Sequence, residues 1–273
     1  MSAADAVKAS GEAASALRAA RVLVAARRER RLIERLPLDC RPAHLAAGYA
    51  VQAQVAGLLG AIGGWKIGAA DPGGTPLHAP IFVADIHQSG VTLAIKEFAG
   101  STIEAEIAFR LLQDLPVGPA AHDPTSVARA VERVPALEIY SSRYREPGAA
   151  EEAEQLADCL ANGGLIVGVG VGVGVGVGVG VGVGVEAVMA GEATPTWDIE
   201  LAIDDTLAQR RAARHPAGDP LQLVVWLANH LNRCGGLLSA GQVVTTGALL
   251  LAPIGRSVRG ECQGLGSVSA SFT

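Results

Sequence analysis

Apolar residues recur at helical spacing through the first sixty positions, as at Ala19, Val22, Leu23 and Ala26, in a stretch rich in Ala, Leu, Arg and Glu. Prolines after Leu36 and Arg41 interrupt that periodicity and predict two or three helices. The segment from His44 to Ala61 is apolar on most sides, the pattern of a helix that packs beneath something larger. From Gly63 the texture changes to short apolar runs separated by Gly, Pro, Asp and Ser. Gly64–Gly68, Ile81–Ile86, Thr102–Leu112 and Ala136–Tyr140 have strand length and strand composition, with a short helix over Pro124–Arg133. Leu221–Leu231 reads as a buried helix behind Gly218-Asp219-Pro220, and Gln242–Thr246, Arg256–Glu261 and Ser267–Phe272 as three further strands. Helices first and strands afterwards predict an α+β fold with a mixed or antiparallel sheet core, divided into a helical region over 1–62 and a β-rich domain over 63–273.

One stretch fits this scheme poorly. From Val167 to Gly184 the chain reads Val-Gly nine times, an insertion bounded at 167–185. As a single strand it would extend about 60 Å, whereas a compact chain of 273 residues has a radius of gyration near 19 Å, by the usual scaling of about 2.2·N^0.38 Å. Period two puts every Val on one face, so a slip of two residues costs nothing and register is unspecified. Its first residues are expected to continue a strand begun at Leu165-Ile166 and the rest to form a mobile loop, or an edge strand pairing with a neighbouring chain. A phosphate cradle is not expected, since no helix opens behind the glycines.

Composition matters first for the membrane question. The chain is 49% hydrophobic with a mean hydropathy of +0.32, and Cys159–Val185 is uncharged. A spanning helix there would contain nine glycines of the repeat, at roughly 9 kcal/mol of propensity cost relative to Ala, so no membrane segment is predicted. With 22 Lys+Arg against 27 Asp+Glu the net charge is −5, and neither a nucleic-acid nor an anionic-membrane footprint is visible. Arg27, Arg28, Arg30, Arg31 and Arg35, interrupted by Glu29 and Glu34, read as a solvated helix face with i,i+4 ion pairs, with a phosphate patch as the alternative. Cys40, Cys159, Cys234 and Cys262 form no CxxC, which predicts neither disulfides nor a zinc knuckle and favours a reducing cytoplasm. The N-terminus lacks the pattern of a secretory signal.

Candidate chemistry concentrates in Ile103-Glu104-Ala105-Glu106-Ile107. On a strand, Glu104 and Glu106 share one face while Ile103, Ala105 and Ile107 point to the other. Neighbouring carboxylates raise each other's pKa unless a cation lies between them, and a hard divalent ion with oxygen ligands meets that need. Glu138 lies in another apolar run, where a lone charge is costly. The alternative is a solvated strand face. Lys66, between Gly64 and Gly68, lies where another backbone or a ligand can approach, or is a surface lysine. Asp85 is a base or a turn starter, and Thr245-Thr246-Gly247-Ala248, with its hydroxyls and Gly-exposed amide, a carboxylate-binding strand end or an ordinary exit.

Taken together, Gly64-x-Lys66-x-Gly68, Glu104-x-Glu106, Pro135-Ala-Leu-Glu138 with Ser142-Arg143, Asp158-Cys-Leu-Ala-Asn162, Trp226-Leu-Ala-Asn229, Thr246-Gly-Ala248 and Gly264-Leu-Gly-Ser-Val268 resemble the fumarylacetoacetate hydrolase superfamily. Within it the chain is similar to the 2-keto-4-pentenoate hydratase branch, which shares its pattern with 4-oxalocrotonate decarboxylases, from about residue 15 to the C-terminus. The resemblance implies a mixed β-sheet roll of the family's C-terminal-domain type, a Mg²⁺ or Mn²⁺ site, and a 2-oxo or 2-hydroxydienoate substrate from aromatic catabolism. Carried over by position, Glu104, Glu106 and Glu138 match metal ligands, Lys66 and Asp85 catalytic positions, and Ser142, Arg143, Thr246 and Gly247 substrate-binding positions. Where many relatives carry Gly-His-Pro-Leu, this chain has Gly218-Asp219-Pro220-Leu221, with His215-Pro216 nearby.

The implied reaction is hydration of a 2-hydroxy-2,4-dienoate to a 4-hydroxy-2-oxo acid, the metal chelating the carboxylate and 2-oxygen while Lys66 holds the enolate or shuttles a proton. The alternatives are decarboxylation of a 2-oxo-3-enedioate and a catalytically idle subunit of a partner enzyme. Hydrolytic C–C cleavage ranks lower, because His78 and His87 lie in turn-like contexts without an acidic partner. Apolar early helices and sparse charge predict a homo-oligomer, with a pathway partner enzyme as a further associate.

Overall fold

A computed structural model describes residues 3–69, 73–98, 100–170 and 196–273, with side chains from residue 9 onward. The fold is α+β, as the order of patterns predicted. Helix α1 (Ala3–Arg28) buries Ala16, Ala19, Ala20, Leu23 and Val24, one stripe at helical spacing, toward α2 (Leu45–Leu59), which offers Val51 and Val55. Between them the chain breaks where the prolines stand, with one 3₁₀ turn at Leu38–Cys40. Both helices share an apolar cluster with Phe82, Tyr144, Ala157 and Cys159.

The strands are β1 (Ile62–Gly68), β2 (Leu77–Phe82), β3 (Ile86–Gln88), β4 (Val91–Leu93), β5 (Thr102–Leu111), β6 (Val131–Tyr140), β7 (Asn162–Val167), β8 (Thr196–Ile203), β9 (Thr206–Arg214), β10 (Val243–Pro253), β11 (Ser257–Cys262) and β12 (Gly266–Phe272). Among the described residues, three more helices are α3 (Pro124–Ala130), α4 (Glu152–Ala157) and α5 (Leu221–Arg233). One mixed sheet runs β2-β1-β10-β5-β6-β7-β3 and a second β4-β12-β11-β8-β9. Ile103, Ala105, Ile107, Leu137 and Ile139 of the first sheet join Ile199, Leu201, Val258, Val268 and Phe272 of the second in one core. The opposite face of β5 and β6 therefore carries Glu104, Glu106 and Glu138, as period two requires.

Several expectations are corrected. The run Ile81–Ile86 is not one strand but β2, a 3₁₀ turn over Val83–Asp85, and β3. β6 begins five residues before the predicted Ala136 and passes through Pro135. The Pro135 carbonyl accepts from the Gly168 amide at 2.8 Å just beyond the end of β7, so the ring's missing N–H faces a side where the ladder has already ended. α3 correspondingly stops at Ala130, short of Arg133. The arginine cluster is not a helix face, because α1 ends at Arg28 and the side chains tether separate elements. Arg27, half-buried, pairs with Asp85, Arg28 donates to the Leu58 carbonyl, and Arg30 pairs with Glu97. His78 lies within β2, not in a turn. β7 carries the first Val of the repeat, as expected, whereas positions 171–185, and with them the predicted mobile loop or edge strand, lie outside the described residues.

Candidate metal centre

The site lies across β1, β10, β5 and β6. In the β5–β6 ladder Glu104 stands directly opposite Glu138, and Glu106 is two residues further along the same face. Like charges directly opposed on a sheet are unfavourable, and here they are also buried: Glu138 and Glu106 are 0% and 1% exposed. One carboxylate oxygen from each of Glu104, Glu106 and Glu138 lies within 4.8 Å of the others.

β10 supplies the frame for Glu106. Its register against β5 shifts between Thr245 and Ala248, a bulge that sets Thr246 and Gly247 free of the ladder. Gly247 takes φ +109°, a conformation suited to glycine. Both freed amides, Thr246 N at 3.1 Å and Gly247 N at 2.9 Å, donate to Oε2 of Glu106. Oε1 of Glu106 is buried with no hydrogen-bond partner. Burial, reinforced by Glu138 and Glu104, pushes the Glu106 pKa well above the ordinary carboxylate value. Glu104 is raised by burial too, with Lys66 opposing the rise.

Glu138 is held on both oxygens, by Asn162 Nδ2 at 3.0 Å on Oε1 and Thr245 Oγ1 at 3.3 Å on Oε2. Lys66 stands three strands away in the sheet order, about 14 Å at roughly 4.8 Å per spacing, a gap that long side chains close. Its Nζ lies 2.8 Å from Glu138 Oε1 and 3.6 Å from Glu104 Oε2, and 5.3 Å from the centre of the Tyr140 ring. Burial alone would lower the Lys66 pKa; Glu138, Glu104 and Glu106 outweigh it and hold the ammonium protonated. Gly64 lets β1 approach β10, since a Cβ there would sit 2.4 Å from the Val243 carbonyl oxygen.

Three carboxylates against one ammonium leave two uncompensated negative charges in a buried site when ionised. An oxygen without a donor, hard oxygen ligands and this charge deficit fit a divalent cation such as Mg²⁺ or Mn²⁺. Beside the triad a cavity of about 260 Å³ is lined by Lys66, Gly247, Tyr140, Ser142 and Leu160 among others.

The remaining predicted positions divide. Gly247 and Ser142 line the cavity, while Thr246 is buried with its Oγ1 on the Ile107 carbonyl at 2.7 Å. Arg143 is turned inward: Nε meets Asp158 Oδ1, and Nη1 donates to the Asn162 carbonyl at 2.9 Å. Asp85 pairs with Arg27 at 2.8 Å, and none of its described contacts reaches the triad. Asn162 and Thr245 are not among the expected site residues, although Asn162 closes a quoted motif and Thr245 directly precedes another. His215 is buried beside the Thr246 backbone, and burial pulls its pKa down.

No family model matches the chain. Two 2-keto-4-pentenoate hydratases of Dechloromonas aromatica (strain RCB) are each 28% identical over 241 residues, covering 84% of this chain and 81% of the relative. The 4-oxalocrotonate decarboxylase from Pseudomonas putida G7 complexed with magnesium and adipate superposes with a TM-score of 0.74 at 23% identity, covering 94% of this chain and 97% of that one. The fumarylacetoacetate hydrolase from psychrophilic Exiguobacterium antarcticum reaches a TM-score of 0.50 at 12% identity, over 79% and 76% of the two chains.

Proposed function

We propose that the chain, similar to 2-keto-4-pentenoate hydratases, is a member of the fumarylacetoacetate hydrolase superfamily and, from that premise, a divalent-metal-dependent hydro-lyase converting a 2-hydroxy-2,4-dienoate into a 4-hydroxy-2-oxo acid. The observation that carries this reading is the convergence of Glu104, Glu106 and Glu138 on one point, with a single ammonium to offset them.

These three carboxylates are the groups that would hold Mg²⁺ or Mn²⁺. A divalent cation there supplies Lewis-acid polarisation of a 2-oxo group and cancels the charge that would repel an anionic substrate. The chain's own groups set the rest. The two bulge amides fix Oε2 of Glu106 and leave Oε1 for the ion. Asn162 and Thr245 orient Glu138. Lys66 keeps its proton on Nζ at neutral pH and lines the cavity, so it serves as a cation and hydrogen-bond donor that holds the negative charge on the substrate's 2-oxygen once the enol proton has left, not as the base that removes it. In the net reaction the enol proton leaves the 2-oxygen, C5 and C3 each gain a proton, and C4 gains the hydroxyl of one water.

Decarboxylation of a 2-oxo-3-enedioate is the second reading, favoured by the likeness to the decarboxylase fold. Hydrolytic cleavage is less well supported, since no histidine forms an ion pair with a carboxylate among the described residues. Four free cysteines agree with a cytoplasmic setting.

Loss of 2-hydroxypenta-2,4-dienoate absorbance that requires Mg²⁺ and disappears in Glu106→Gln is the expected result. Carbon dioxide release from 2-oxo-3-hexenedioate instead would select the decarboxylase. Turnover of neither with metal present would contradict both and leave an idle subunit.

A further inference from the structure

Three successive non-glycine residues, Cys159 (φ 52°), Leu160 (φ 51°) and Ala161 (φ 59°), occupy the left-handed helical region. L-residues visit that region singly, because Cβ crowds the following carbonyl oxygen, so a whole left-handed turn needs surroundings that over-determine it. Arg143 provides them. Its guanidinium binds the Asp158 side chain and carbonyl before the turn and the Asn162 carbonyl, at 2.9 Å, after it. Arg27 donates to the same Asn162 carbonyl at 2.9 Å. The Ser141 amide closes on the Ala161 carbonyl at 2.7 Å.

The turn delivers two things to the site. Asn162, directly after it, reaches Glu138. Leu160 and Ala161 form part of the cavity wall, together with Ile67, Leu77 and Tyr140. Among the described residues, two charged side chains line this cavity, Lys66 and Asp158. Lys66 is engaged by Glu138 and Glu104, and Asp158 carries the wrong sign for an anion. Positions 1–2, 70–72, 99 and 171–195 contain no Lys or Arg that could add a cation.

We infer that Leu160, presented by the left-handed turn, determines specificity: it fits the cavity to a substrate with one carboxylate and a short apolar tail, and against one with a second, distal carboxylate. The inference rests on the proposed metal end of the site. A substrate carboxylate at that end is compensated; a second one would be desolvated against Leu160, Leu77 and Ile67 with no free cation, which buried charge does not tolerate.

The test is calorimetric binding of unreactive 2-oxo acids to the full chain with Mg²⁺, comparing 2-oxopentanoate, 2-oxoheptanoate and 2-oxoadipate. Wild type should bind 2-oxopentanoate at least about ten-fold more tightly than 2-oxoadipate. In Leu160→Gly, which accepts the positive φ without strain, the affinity for 2-oxoheptanoate relative to 2-oxopentanoate should rise about ten-fold. Leu160→Asn, also tolerant of that conformation, should narrow the preference against 2-oxoadipate. A purely structural role would weaken all three ligands together and leave the ratios unchanged. Unchanged ratios in both variants, or equal wild-type affinity for 2-oxopentanoate and 2-oxoadipate, would overturn the inference while the metal-site reading stands. Failure of all three acids to bind wild type with Mg²⁺ would overturn the metal-site reading and the inference with it.

Discussion

Two buried clusters treat the same side chain in opposite ways. Glu154 on α4 is fully buried, yet it meets Arg35 and, at 3.4 Å, Arg41, so one carboxylate faces two guanidiniums. At the triad three carboxylates face one ammonium. Burial penalises both clusters, but the first is compensated by the protein alone and ties the α1–α2 connection to α4. The second lacks two positive charges. Charge balance therefore separates an ion pair that holds the fold from a site that calls for a ligand, where burial alone would not.

Glu→Gln substitutions test that contrast most sharply. Glu106→Gln should reduce metal-dependent turnover and Mn²⁺ affinity by more than about 100-fold, the upper end of what changes around a metal's ligands cost. The same substitution should raise Tm in chelator, since it removes one of the buried carboxylate charges that the single ammonium does not offset. Glu154→Gln should do the reverse, costing about 1–3 kcal/mol in denaturant unfolding and leaving Mn²⁺ affinity unchanged. Equal signs in the two clusters would break the comparison.

Asn162→Ala should lower Mn²⁺ affinity by about 10–100-fold by releasing Glu138, read by the same titration. The pH dependence follows from the raised carboxylates. Between the ordinary value of 4.5 and the raised value, the folded protein holds protons on Glu104 and Glu106 that the unfolded chain has lost. Metal-free stability should therefore fall as pH rises above about 4.5, and Mn²⁺ should bind more tightly over the same interval as it displaces those protons. Thermal scans against pH with and without Mn²⁺ read both. The smallest effect belongs to Leu160→Gly, where relief of left-handed strain offsets lost packing and net stability should change by no more than about 1 kcal/mol.

Much of the site was legible because strand alternation places Glu104 and Glu106 together and an apolar frame marks Glu138 as costly. Their partners were not, because register is a tertiary fact: nothing local says that the β10 bulge sets two amides on Glu106, or that Asn162 lies beside Glu138. Arg143 shows the same limit, since a cation beside a serine in a motif does not reveal that it faces Asp158 and not the cavity. In the fold, the hairpin of β8 and β9 escaped notice because β9 is an exposed edge strand with Gln209, Arg210 and Arg211 in succession and no apolar alternation. The first four residues of β2, Leu77 to Pro80, escaped because Pro80 reads as a breaker, although an edge strand tolerates it.

The central claim is that the charge deficit of the triad is met by one divalent cation. Anomalous diffraction from crystals soaked in Mn²⁺ tests it directly. The account predicts a single strong peak among Glu104, Glu106 and Glu138, absent in Glu106→Gln crystals. A triad free of anomalous density at saturating Mn²⁺, or a peak unaffected by that substitution, would contradict it.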